Sequence, residues 1–201
     1  MLFQSCIIII MLTISCTSTR ITSSWRDPKR HVHMEELNKV LIIALIENET
    51  NRYKAEHQIV KYLEGKGVVS HDYLDANMNG KSEEEIMRKI RNDGFDGIVL
   101  MYLLDVDKER IYMPDEINYN QNSSVNFGEY YLKNHQRYLK EGSYITTKTY
   151  ILETVIFSLK DNTIIWSGIT KTFEPSGIKR MTKEISKVIY KQMIAEGFIV
   201  E

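Results

Sequence analysis

The sequence predicts one α/β domain, a mixed sheet of about five strands flanked by three helices, placed after a signal peptide and a tether. Three observations predict it. Strand-like segments recur at residues 38–46, 68–73 and 97–104, the first and third of them continuous apolar runs. Segments with helical spacing alternate with them. Two further strand-like runs then follow, with only Lys160-Asp161-Asn162 between them. The alternation implies β-α-β-α-β with parallel strands and right-handed crossovers, and the last pair implies a hairpin.

The first element is an address. Residues 2–14 form an apolar run, shorter than the roughly 20 residues a membrane-spanning helix needs and suited to the core of a signal peptide. The run ends Leu12-Thr13-Ile14-Ser15-Cys16. That resembles the lipobox of bacterial lipoproteins, in which the cysteine receives diacylglycerol and becomes the new N-terminus. It departs from the pattern in two ways: no Lys or Arg precedes the apolar run, and Thr13 stands where Leu is usual. The resemblance implies a signal peptide over 1–15 and lipid on Cys16, with palmitate as the added acyl chain. Each buried lipid methylene contributes about 0.8 kcal/mol, so two or three chains on one cysteine anchor a protein firmly. The sequence holds two cysteines, Cys6 and Cys16. Once the first leaves with the signal and the second is lipidated, the mature domain has no thiol, as suits an oxidising compartment. Residues 16–36, rich in Ser and Thr, read as the lipidated cysteine and a flexible tether, and 37–201 as the domain.

Within the domain, Asn38 to Ile46 is continuously apolar after its first two residues, as expected of a strand covered on both faces. Thr50 to Lys66 carries Ala55, Ile59, Tyr62 and Leu63 on one helical face, with Thr50 as its N-cap and Gly65 and Gly67 as its stop. Val68 to Tyr73 is the second strand. Ser82 opens a helix, and Glu85 completes a capping box. Ile86, Met87 and Ile90 form its apolar stripe. Gly97 to Leu104 is the third strand. Thr146 to Leu159, with Ile151, Glu153, Val155, Phe157 and Leu159 on one face, pairs with Thr163 to Phe173. Ser176 to Glu196 closes the chain as a helix, with Ile178, Met181, Ile185, Val188, Ile189 and Met193 inward.

A resemblance emerges from Ser23-Ser24-Trp25-Arg26-Asp27-Pro28, from Lys39 to Ile46, from Gly97-Ile98-Val99 and from Thr170-Lys171-Thr172-Phe173-Glu174-Pro175-Ser176. Together these are similar to an uncharacterised group of Bacteroidetes-type bacterial lipoproteins. At the level of fold alone, that group resembles curli-secretion and penicillin-binding-protein-activator lipoproteins. The resemblance implies a cell-envelope location and carries over no catalytic residue; fold analogy licenses no activity. Surface-export signals of such bacteria resemble acidic clusters after the cysteine. Here Thr17, Ser18 and Thr19 are followed by Arg20, so the expectation is an outer-membrane anchor with the domain facing the periplasm.

Composition narrows the function. With 43% hydrophobic and 26% charged residues the chain is ordinary globular protein, and its net charge of −1 argues against nucleic acid as a partner. No glycine loop follows the first strand to cradle phosphates, and there is no Gly-x-Ser-x-Gly nucleophile elbow. His31-Val32-His33 offers two imidazoles without a third ligand nearby. No cofactor or metal is expected. Two candidate sites remain. Open α/β sheets bind ligands beyond the carboxyl ends of their parallel strands. That edge would carry Glu47, Glu49, Arg52, His71, Asp72, Asp105 and Asp107. Such carboxylates could hold a cation or act as an acid–base pair in a metal-assisted hydrolase, or simply form a solvated rim. The second site is the segment 108–143, read as a long loop without regular period. Loops beyond roughly 12–15 residues are uncommon in compact domains and often functional. Tyr112, Tyr119, Phe127, Tyr130, Tyr131, Tyr138 and Tyr144 stud this one. Tyrosine pairs a flat apolar face with a hydroxyl, suiting a protein or a glycan partner, and equally a flap packed on its own sheet. The leading expectation is a non-enzymatic binding or assembly module held at the membrane through Cys16; the hydrolase is the alternative.

Overall fold

The computed structural model describes residues 18–74, 80–113, 126–139 and 143–200. Residues 1–17, on which the predicted signal peptide and Cys16 fall, and Tyr119 lie outside them. The described chain is α/β, with strands β1 (Thr19–Arg26), β2 (Val32–His33) and β3 (Val40–Leu45), then helix α1 (Glu49–Ile59). There follow β4 (Gly67–Val69), α2 (Ser70–Tyr73), α3 (Glu83–Asn92), β5 (Gly97–Met113) and α4 (Phe127–Leu139). The chain ends β6 (Ser143–Ser158), β7 (Thr163–Phe173), α5 (Ile178–Ala195) and β8 (Ile199–Val200). Six strands form one mixed sheet in the order β1-β7-β6-β5-β3-β4. β3 lies parallel to both β4 and β5, whereas β5, β6, β7 and β1 run antiparallel in turn.

The apolar strands are apolar on both faces because both faces are covered. On one face Val40, Ile42, Val99, Met101, Leu152 and Trp166 meet Met181, Ile185, Ile189 and Met193 of α5. On the other, Leu41, Phe95 and Leu159 meet Ile90 of α3, with Ile86 and Met87 alongside. The inward stripe predicted for α3 therefore holds, as does that for α5 except at Val188, which is only part-buried and outside the core cluster. So does the capping box: Ser82 Oγ accepts from Glu85 N, and Glu85 Oε2 accepts from Ser82 N at 2.9 Å. The N-cap of α1 is Asn48, whose side chain accepts from Asn51 N, rather than Thr50. Of the predicted 68–73 strand, only the first residues pair with β3; Ser70 to Tyr73 turn into α2.

The tether reading is corrected. Thr19–Arg26 is an edge strand of the main sheet, paired with β7. Further on, Val32–His33 pairs with the C-terminal Ile199–Val200. Two glutamates, Glu184 in the second turn of α5 and Glu196 at its C-cap, hold β1 in place. Glu184 accepts from Ser18 Oγ at 2.8 Å and Thr19 Oγ1 at 3.1 Å, and takes Arg180 Nε at 3.0 Å. Glu196 accepts from Ser24 Oγ, from Gln192 Nε2 at 2.7 Å and from Trp166 Nε1 at 2.9 Å. Burial alone pushes both carboxyls up. The hydrogen bonds, with the charges of Arg180 and Arg26, outweigh it and hold them below the usual glutamate value. Trp166 itself is fully buried and lies across Gly168, where a Cβ would stand 2.3 Å from its ring.

Candidate functional site

The strand-edge residues do not converge. Glu47 and Glu49 are exposed beyond β3. His71 and Asp72 pair with each other, Nδ1 to Oδ1 at 3.1 Å. Asp105 and Asp107 sit on β5 past a register shift, opposite Ile151 and Thr149 of β6. Asp105 Oδ1 accepts from Val106 N at 2.7 Å, a local turn-like contact. Among the described residues no group of three or more His, Cys, Asp or Glu stands ready to hold a metal ion.

What organises this edge is a residue that sequence reasoning passed over. Glu56 on α1 is wholly buried. Its Oε1 accepts from Ala44 N at 3.0 Å, Arg52 Nε at 3.1 Å and Ser70 Oγ at 2.6 Å, and its Oε2 accepts from His71 N at 2.9 Å. Arg52 Nη2 also donates to Ser70 Oγ at 2.6 Å. One carboxylate thus fastens the end of β3, helix α1 and the start of α2. Four donors occupy its lone pairs, so its chemistry is cross-linking rather than proton transfer to a substrate. The only signal in the sequence was the Arg52–Glu56 spacing of four, which reads as an ordinary surface pair.

The tyrosine-rich segment is not a structureless loop. β5 continues to Met113, β6 begins at Ser143, and residues 127–139 between them form α4. β7 accompanies β6 only as far as Thr149, which pairs with Phe173. Beyond it, residues 108–113 and 143–148 run on as a two-stranded ribbon. A sheet face that is not buried should carry polar side chains, yet both faces of the ribbon tip are apolar. Ile111 and Ile145 face each other on one side, 36% and 46% exposed. On the other, Tyr112 and Tyr144 pair with ring centroids 5.4 Å apart, and Arg110 lies 4.9 Å over the Tyr144 ring. Both tyrosines are exposed.

Helix α4 repeats the pattern. Every side chain described in it is exposed. Phe127 is 81% exposed and stacks on Tyr131 at 6.0 Å, which stacks on His135 at 5.4 Å. Tyr130 and Leu132 are exposed beside them. The spacing of Phe127, Tyr130 and Tyr131 is helical, a signal present in the sequence and outweighed there by the polar residues between. Tyr138 lies in the same helix, its side chain outside the described set; Tyr119 lies outside it altogether. Of the seven aromatic residues singled out, Tyr112 and Tyr144 meet on the ribbon and Phe127, Tyr130 and Tyr131 share one turn of α4.

No protein-family description matches the chain, and no curated protein matches it. Among solved structures, the chain is distantly similar to the PelC dodecamer of Paraburkholderia phytofirmans. In one crystal form the two are 9% identical over 91% of this chain and 98% of that one, with a TM-score of 0.42. A Leu-to-Met variant of the same protein gives 10% identity over 85% and 94%, with a TM-score of 0.41. It is also distantly similar to lipoprotein GNA1162 of Neisseria meningitidis, at 7% identity over 78% of this chain and 98% of that one, TM-score 0.40.

Proposed function

We propose that this chain is a lipid-anchored envelope protein, held at the outer membrane through Cys16, whose aromatic arm docks a protein partner in the periplasm. The observation that carries the docking surface is the ribbon tip, apolar on both faces with no layer over either among the described residues. Isolated two-stranded ribbons are marginal in water, and aromatic residues commonly dominate interface energy. Ile111, Ile145 and Leu132 beside the tyrosines favour a protein surface over a sugar, which stacks on flat rings but gains little from branched aliphatics. The lipobox-like run before Cys16 supports the anchor.

The test is a crosslinked pull-down from native membranes with the intact chain and with Tyr112→Ser/Tyr144→Ser. A protein captured by the first and lost with the second is expected. Equal capture by both would overturn the arm as the docking surface, and a captured glycan would replace the protein reading. Independently, Cys16→Ala should release the chain from the membrane fraction and abolish fatty-acid labelling. Unchanged fractionation would remove the anchor.

A further inference from the structure

Between the sheet and α5, at the opposite edge from the one the sequence singled out, lies a cavity of about 620 Å³. Protein interiors tolerate few voids larger than a water molecule, whereas small-molecule sites run from about 300 to 1,000 Å³. Its inner wall is apolar: Val99, Met101, Ile165, Ile189 and Met193 all line it and all are buried. The segment 30–37, clipped to the C-terminus through β2 and β8, forms one side. The exposed members of the lining, His31, Glu36, Arg91 and Lys160, mark where it meets solvent.

One polar atom stands out inside. Thr154 lines this cavity, is 3% exposed, and its hydroxyl is the one buried side-chain polar atom without a hydrogen-bond partner among the described residues. It is not a general habit of threonines in this fold. Thr172 pairs with Thr19 at 2.9 Å, Thr182 donates to Ile178 O at 2.9 Å, and Thr170 reaches Leu152 O. Thr154 faces the same layer as Leu152 and Ile156, where valine would serve a purely structural core better, since burying an unpaired hydroxyl is unfavourable.

From the cavity and this hydroxyl we infer that the protein binds a neutral, elongated lipid, its single hydroxyl or carbonyl group hydrogen-bonded to Thr154 and its hydrocarbon lying along the apolar wall. A charged head is excluded from the deep end. The cations of the lining, Arg30, Arg91 and Lys160, belong with the outer residues, and a buried carboxylate without a partner neutralises or stays out.

The test uses the full chain in native membranes with a diazirine-bearing analogue of hexadecanol. Photolabelling is expected on peptides carrying Thr154 and Ile189, with competition by excess hexadecanol and little by hexadecane. Thr154→Val should keep or raise the melting temperature and cut labelling at least tenfold. Ser186→Phe, which projects into the same space, should abolish labelling; Ser186 is a cavity-lining residue on α5. Label confined to outer surfaces, or undiminished labelling of Thr154→Val, would overturn the inference. Competition by hexadecane as strong as that by hexadecanol would also overturn it, because the Thr154 hydroxyl would then play no part in binding.

Discussion

The same two strands lead two lives. In their first half β5 and the end of β6 lie inside the sheet, flanked by β3 and β7 and covered on both faces; Val99, Met101, Leu152 and Val155 are each under a tenth exposed. β5 leaves β3 past Tyr102, the pair leaves β7 past Asp107 and Thr149, and the same strands then carry Ile111, Tyr112, Met113, Tyr144 and Ile145 into solvent. The packed half is the more apolar, yet the arm keeps its apolar residues together at the tip, where the neighbouring strands are gone. In the packed half an apolar side chain contributes stability. In the arm it is only part-covered by this chain and contributes less, so its presence there points to what lies outside the chain.

This comparison predicts where substitutions will hurt. The largest effect is expected at Glu56. Glu56→Ala strips a buried acceptor from Arg52, Ser70 and two backbone donors, and should cost about 3 kcal/mol or more by denaturant unfolding. A cost under about 1 kcal/mol would mean that water replaces the carboxylate, and the packed half would be looser than described.

Next comes Gly168→Ala, whose methyl would meet the ring of Trp166 at 2.3 Å. Overpacking of this kind costs about 1–3 kcal/mol. Ser82→Ala should cost about 1 kcal/mol through the lost cap of α3. Tyr112→Ser/Tyr144→Ser, in the arm, removes one cross-strand aromatic pair and should cost no more than about 1 kcal/mol, while abolishing partner capture. A larger loss of stability would erase the distinction between the two regions.

Acid sharpens the same contrast. The Glu184 and Glu196 carboxyls are held below their ordinary value of 4.5 in the folded chain. Their contribution is therefore complete above that value and is lost as pH falls through the depressed range. Melting temperature should drop as pH is lowered below about 4.5. Glu196→Gln should flatten that drop; arm variants should keep it unchanged.

Where the sequence could be read, it was read through period and punctuation. α3 announced itself by Ser82, Glu85 and an apolar stripe, and β3 by an unbroken apolar run. β1 escaped because Thr19–Arg26 is rich in Ser and Thr, the composition of a linker, although Thr and Ile also favour strands. Its buried Thr19 and Thr172 of β7 satisfy each other, a pairing that only tertiary placement reveals. The continuation of β5 past Asp105 escaped for a related reason: the polar run Asp107 to Arg110 separates the apolar tip Ile111 to Met113 from the buried part of the strand and hides their continuity. Glu56 escaped because a helix-surface glutamate and a buried one look alike until the neighbouring elements close over it. The exposed aromatics were legible as residues, but not as two groups on a ribbon and a helix.

The central claim is that the fold closes without the aromatic segment that joins the two ribbon strands. Thermal melting of the chain lacking residues 116–140, beside the intact chain, tests it most directly. Loop-closure entropy changes slowly with length, and the packed half keeps every core residue named above. The account predicts one cooperative transition within about 3 °C of the intact protein. A broad, non-cooperative melt would show that the segment carrying α4 is part of the core, contradicting its place in an exposed docking arm.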